Sequence, residues 1–289
     1  MKTLIVTTDV FAWTLTQAGP IVGTEAVVKI VVTLKQVPDP NVPPSHLTVD
    51  EVARKVVPPA NTPPVMNGYD ANALEEAIRL KEQHGGVVNV VSLGDDSARD
   101  TLKRAIAMGA DTVLLVNDPD CLDGDSFTTA RVLASAVRSL GDFDLILSGR
   151  QASDTDAGQV LHGIAEFLGL PSVAPIKRIE CVEPGAVIVH RIIEDGYQRL
   201  RVRTPALLGV SSEINEPRYP PPRGLMAAAR THIPARPAAS VGAPAVTPKL
   251  ELRHLQAKKG ARRAELIAAD SGAELGIRLA DRLREMGLI

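Results

Sequence analysis

DLILSGRQASDTDAGQVLHGIAEFL, Asp144–Leu168, falls into three pieces. Asp144 to Ser148 is a short apolar strand, Gly149 to Gln159 is a polar loop, and an apolar-periodic helix follows. That helix begins near Gly158, runs to Leu168 and carries Val160, Leu161, Ile164 and Phe167 on one face. A strand that enters a helix through such a loop aims backbone N–H groups and a helix N-terminus at one spot, which makes GRQASDTDAGQ a candidate anion or phosphate cradle.

Working outward, the same strand–helix grammar repeats. Lys29 to Thr33, Val87 to Leu93 and Thr112 to Val116 are β-branched or apolar runs. Between them lie helices predicted over Ala71–Gln83, with Asp70 as N-cap, and over Ser97–Met108, which closes at Gly109. Ser126–Leu140 is a third, followed by Gly141. Strands that are apolar nearly throughout require cover on both faces, so the expected fold is a doubly wound α/β domain with a mostly parallel sheet. After Leu170 four short strands are expected (Val173–Ile179, Ala186–Ile192, Tyr197–Val202, Ala206–Ser211), with Asp195-Gly196 as a hairpin turn, which reads as an antiparallel meander at the sheet edge. Beyond Glu216 prolines are frequent enough to predict an extended connector without regular elements, and an amphipathic helix, Gly272–Met286, ends the chain. Three regions result: an extension over residues 1–27, an α/β domain over 28–216, and an arm over 217–289 whose terminal helix needs a surface to lie on.

Composition excludes several classes. A formal charge of −2 gives no basic surface for nucleic acid, and 3% aromatic residues leave few stacking platforms. Cys121 and Cys181 are the only cysteines and stand far apart, which fits a reducing compartment and not a disulfide scaffold or thiolate metal site. No run approaches the ~18 apolar residues of a membrane span. A cytoplasmic protein without direct membrane insertion is expected. Asp9 interrupts the apolar run near the N-terminus before a secretory core of ~7–15 residues forms, so residues 1–27 read as an edge strand, a tail or a mis-assigned start.

In doubly wound sheets ligands bind beyond the carboxyl ends of the strands. The segments predicted there are Leu34–Asp39, Gly94–Asp96 and the Gly149 loop. Asp154 and Asp156 could be a carboxylate pair or metal ligands, but aspartates before a helix start more commonly cap it. His162 is expected near the crevice in a structural or exposed role, and the remaining histidines have no partners at recognisable spacing. Nothing matches GxSxG, HExxH or GxxxxGK[ST]. No catalytic residue and no metal site is predicted.

Five separated motifs resemble the beta subunit of electron transfer flavoprotein: KQVPD (Lys35–Asp39), DANALEEAIRLKE (Asp70–Glu82), AMGAD (Ala107–Asp111), GRQASDTDAGQ, and NEPRY (Asn215–Tyr219). The hairpin VHRIIEDGYQRLRVRTPALLG, Val189–Gly209, resembles the family's signature and departs from it at Gly209. The resemblance covers nearly everything from Lys29 onward. It implies a Rossmann-like adenine-nucleotide-binding fold, an electron carrier in place of an enzyme, and a heterodimer with an alpha subunit that holds FAD and is wrapped by the arm. Carried over by position, the nucleotide pocket comprises Thr33, Asn67, Gly68, Tyr69, Asp70, Leu93, Gly149, Arg150, Gln151, Ala152, Ser153, Asp154, Thr155, Asp156, Ala157, Gly158, Gln159 and Val160. N–H groups at the start of the fourth helix could hold phosphate, while Asn67 and the Leu93 backbone could address the adenosine end.

Family members divide by what fills this pocket. Some hold AMP as a structural ligand, and others hold a second FAD that splits electron pairs between two acceptors. EDGYQRLRVRTPALL and QVLHGIAEFLGLP resemble the second group more, while Ala157-Gly158, in place of the commoner residues, leaves the choice open. Implied partners are the alpha subunit, dehydrogenase donors, and a membrane quinone oxidoreductase or ferredoxin as acceptor. Two departures bear on this: Asn67-Gly68 stands where Asn-Pro is usual, and Pro222 stands where a leucine anchors dehydrogenase docking. The rival classes are a nucleotide-activating enzyme, which would need a phosphate motif after the first strand that Lys35–Pro38 does not supply, and a stand-alone nucleotide-sensing module, which would leave the apolar arm exposed.

Overall fold

The computed structural model describes residues 27–245, 247–256 and 265–289. The expectations for residues 1–26 lie outside that range. The elements begin with β1 (Val28–Thr33), β2 (Gln36–Val37), β3 (Thr48–Asp50), β4 (Lys55–Val57), β5 (Val65–Met66), α1 (Gly68–His84), β6 (Gly86–Leu93), α2 (Ala98–Met108), β7 (Thr112–Val116), α3 (Pro119–Leu122) and α4 (Ser126–Ser139). They continue with β8 (Leu145–Gly149), α5 (Val160–Leu168), β9 (Ser172–Glu183), β10 (Ala186–Ile193), β11 (Gly196–Arg203), β12 (Ala206–Val210), α6 (Pro222–Arg230), β13 (Ala235–Arg236) and α7 (Gly272–Glu285).

Nine strands form one sheet in the order β11-β10-β9-β12-β8-β1-β6-β7-β13. All neighbours are parallel except β9–β10 and β10–β11, which are antiparallel. Burial on both faces explains why β1 is apolar without interruption from Ile30 to Val32. Ile30 and Val32 face one layer with Leu74, Ala77 and Ile78 of α1 and Leu102 of α2, while Val31 faces the other with Val132 and Ala136 of α4 and Ile164 of α5. Burying an Ile or Leu side chain to this degree contributes roughly 1.5–3 kcal/mol. The doubly wound α/β architecture with an antiparallel edge is therefore as the sequence predicts, except that the last strand expected in the meander, β12, pairs in parallel with β8 and β9. The hairpin turn falls one residue earlier than expected: Ile193 pairs with Gly196, leaving Glu194-Asp195 as the turn.

The proline-rich stretch departs from expectation. It contains α6, β13 and a short 3-10 turn, Ala238–Val241, all seated on the body. Pro222 takes the first position of α6, where its missing N–H costs nothing and its fixed φ suits the helix. Gly224 packs so near α2 that a Cβ there would come within 2.4 Å of the Ala107 carbonyl oxygen. Ile233, Ala238 and Val241 are buried, and β13 extends the sheet beside β7. Upstream, the NEPRY segment is strapped to α1. The Arg218 guanidinium donates to Glu75 Oε2 at 2.8 Å and to Glu82 Oε1 at 2.6 Å, and Asn215 donates to the Asn72 carbonyl.

Farther along, Lys249 and Leu250 donate their N–H groups to Asp125 Oδ2, whose Oδ1 caps α4 at Thr128. The α7 helix is different in kind: it buries none of its residues, although Ser271 and Glu274 form its N-cap bond. No described helix is long and apolar enough to cross a membrane.

Candidate functional site

The chain leaves β1 toward β6 and β7 on one side, then crosses back to place β8 on the other. The switch in strand order thus lies between β1 and β8. At that seam the Thr33 hydroxyl donates to Ser148 Oγ at 2.9 Å, and the segments after both strands leave the sheet at the same end, where a doubly wound sheet places its ligand crevice. Asp70 and Asn67 join them there.

Asp70 is not the N-cap that its position before an apolar run suggested. Asn67 occupies that place, and Asp70 lies inside the first turn of α1. Its carboxylate reaches across the crevice: Oδ2 accepts the Lys35 N–H at 2.7 Å, and Oδ1 accepts the Gly149 N–H at 3.0 Å. One side chain therefore ties α1 to the ends of β1 and β8. Burial pushes the Asp70 carboxyl up to about 7, against hydrogen bonds from Lys35, Asn67 and Gly149 and the nearby Lys35 charge that pull it down. Gly149 is required by this approach, because a Cβ would stand 2.4 Å from Asp70 Oδ1.

Asn67, 1% exposed, pins the loop with both ends of its amide. Its Nδ2 donates to the Gln151 carbonyl at 2.9 Å, and its Oδ1 accepts from the Ser153 N–H at 3.2 Å. Arg150 donates its N–H to the Val210 carbonyl on β12 and lays its guanidinium over the Tyr69 ring at 5.4 Å. The loop then turns through Asp156 at φ 49° and Gly158 at φ 60°, left-handed conformations that glycine adopts freely and aspartate adopts through local hydrogen bonding.

Neither Asp154 nor Asp156 caps the following helix. The α5 N-cap is Gln159, and its side chain makes no capping bond. Asp156 accepts from the Gln151 side chain at 2.8 Å, and Asp154 is held at 2.7 Å by the Lys35 ammonium. The consequence is chemical. Among the described residues no side chain caps the leading N–H groups of α5, so the donor set at the loop's end suits an external anion. Thr33, Asn67, Gly68, Tyr69, Asp70 and the Gly149–Val160 segment are thus brought to one end of the sheet. Leu93 ends β6 on the far side of β1, and among the described residues no hydrogen bond joins it to the Gly149 loop. His162 is exposed and meets Ser172 Oγ at 2.9 Å, away from the crevice.

Two participants escaped the sequence reading. Lys35 stands two residues past β1 and opens the KQVPD motif, yet it was not counted among the pocket residues. Ser148 was read only as the end of a strand. The period-2 pattern could have found Ser148, since a hydroxyl at the last inward position of a buried central strand is out of place unless it is bonded. The Gly209 departure is also accounted for: a Cβ there would lie 2.5 Å from Leu161 and 2.7 Å from Ala174.

Comparison with known proteins gives a consistent result. Residues 57–241 match the family model described as the electron transfer flavoprotein domain. The chain is 40% identical over 196 residues to electron transfer flavoprotein subunit beta of Thermoanaerobacterium thermosaccharolyticum, covering 68% of this chain and 73% of that one. It is 38% identical to the subunit of the same name from Clostridium acetobutylicum, over 66% and 71% of the two chains. It is also 37% identical to the caffeyl-CoA reductase–Etf complex subunit CarD of Acetobacterium woodii, over 68% and 74%.

Proposed function

Since the chain belongs to the electron transfer flavoprotein family, as a beta subunit, we propose that its β1–β8 crevice holds an adenine nucleotide and that its arm embraces an alpha subunit carrying the transferring flavin. The observation that carries the reading is the convergence of Asp70, Asn67 and the Gly149 loop into a pinned cradle beside an α5 N-terminus without a side-chain cap. In it the α5 N–H groups and the Gly149–Val160 backbone hold the phosphate, Asn67 and Asp70 keep the loop in place, and Thr33 and Ser148 form the floor. FAD supplies the redox chemistry when bound, and the chain itself binds, orients and shields. The subunit acts as an electron carrier in this reading, which its family supports.

Of the two occupants, we favour the adenosine end of a second FAD over AMP. The hairpin phrase EDGYQRLRVRTPALL and the α5 phrase QVLHGIAEFLGLP support that choice. The partner is supported by α7, which presents Leu275, Ile277 and Leu279 to solvent, an arrangement that a soluble chain covers on assembly. Donors are dehydrogenases, and a quinone oxidoreductase or ferredoxin receives the electrons in the cytoplasm.

The test is a count. The two co-purified subunits are expected to yield two FAD per heterodimer after denaturation. One FAD with one AMP would replace the second-flavin reading by the structural-AMP reading, and a complex holding no nucleotide at all would end both.

A further inference from the structure

An ion pair joins the segment after β1 to the loop after β8, the two segments of the nucleotide site proposed above. Lys35 Nζ lies 2.7 Å from both carboxylate oxygens of Asp154. The two backbones are held independently of that pair. Lys35 is fixed by its N–H to Asp70 and by its carbonyl, which accepts from the Asn67 N–H, and the loop carrying Asp154 is fixed through Asn67. Breaking the pair therefore disturbs no backbone bond, and both partners are open to solvent, at 42% and 25% side-chain exposure. Exposed pairs of this kind add little to stability.

The loop itself carries Arg150, Asp154 and Asp156, one cation against two anions. Arg150 is engaged with Tyr69 and Gln151, and Asp156 accepts from the Gln151 amide. An anion entering the cradle thus meets one carboxylate at its mouth and one ammonium already held there on a flexible stem. Charge-assisted hydrogen bonds to phosphate are stronger than a solvent-exposed carboxylate pair.

We propose that Lys35 is a phosphate ligand kept in reserve by Asp154, and that loading the crevice transfers its ammonium from the Asp154 carboxylate to the nucleotide phosphate. The inference rests on the crevice being the nucleotide site, and it adds an exchange that sets the order of preference: phosphorylated adenosine over adenosine itself. Asp154 is then a competitor of the ligand and a positioning residue for Lys35. A purely bracing pair would behave in the opposite way, because removing either partner would loosen the loop and weaken every ligand alike.

The experiment is calorimetric titration of the full-length chain in complex with its partner subunit, after removal of bound nucleotide, with AMP, FAD and adenosine. Lys35→Gln is expected to weaken AMP and FAD by about 10- to 100-fold, the loss of one hydrogen bond to a charged group, and to leave adenosine within about twofold. Lys35→Arg is expected to restore most of the affinity, which separates charge from folding. Asp154→Asn is expected to tighten AMP by about two- to tenfold. Parallel loss of AMP and adenosine in Lys35→Gln, unchanged AMP affinity in it, or weakened AMP binding in Asp154→Asn would each overturn the exchange while leaving the pocket in place. A wild-type complex that binds none of the three would overturn the pocket and the exchange together.

Discussion

Asp70 shows how one side chain can bear opposite demands. Its carboxylate is buried, which favours the neutral acid, yet it accepts two backbone N–H groups, which favours the ion. Burial prevails, and the gap between 3.8 and about 7 corresponds to on the order of 4 kcal/mol. The sign follows from linkage. The stability contributed by Asp70 is complete below pH 3.8 and is lost as pH climbs through about 7. Asp70→Asn removes that dependence and leaves either the Lys35 or the Gly149 N–H without an acceptor, at a cost of about 1–3 kcal/mol. The variant is expected to be less stable than wild type by urea denaturation, with a larger deficit at pH 5 than at pH 8; equal deficits would mean that Asp70 stays charged in the fold. Glu75 has the opposite sense. Burial alone would raise its carboxyl, but hydrogen bonds from Arg218 and Arg79 bring it below its usual range, so its contribution is lost on acidification. Neither role was legible in the sequence. An aspartate before a helical run reads as a cap, and nothing local reveals partners 35 and 79 residues away.

At the level of the element, the start of α1 is under less constraint than the family's usual Asn-Pro suggests. Gly68 occupies the first helical position, a Cβ placed there meets nothing within 4 Å, and Asn67 already adopts φ −55° and ψ 130°, the extended conformation that precedes proline. Gly68→Pro is therefore expected to stabilise the chain by about 0.4–1 kcal/mol, by restricting the unfolded state, with nucleotide content unchanged. A lowered thermal midpoint would show that the Gly68 N–H is needed. Element boundaries were readable where local chemistry decides them, as in the glycine that closes α2 and the strand, loop and helix of Asp144–Leu168. They were not readable in the proline-rich stretch. There α6 forms because Pro222 falls at a helix start and Gly224 lets that helix approach Ala107, a contact fixed by tertiary packing and invisible to composition.

On the scale of the whole molecule, the body and the terminal helix have different loyalties. The chain is tied down as far as Lys249 and Leu250 by Asp125, and the Arg54 guanidinium meets the Leu252 carbonyl. Beyond that, α7 buries nothing. Truncation after Gln256 is expected to leave the unfolding midpoint unchanged and to abolish co-purification with the alpha subunit. Full-yield co-purification of the shortened chain would place the subunit contact elsewhere. The parallel sheet was legible because apolar strands without alternation demand helices on both sides, and the meander because a polar turn joins two of its strands without an intervening helix. The strand order was not, since β12 reaches its place between β8 and β9 only after the hairpin has been made. That late insertion has a further consequence. The Gly149 loop leans on Val210 through the Arg150 N–H, so a chain emerging from the ribosome cannot finish the proposed cradle when Gln159 appears. It must wait until the last strand beside β8 has been synthesised, which makes this loop one of the later parts of the body to mature.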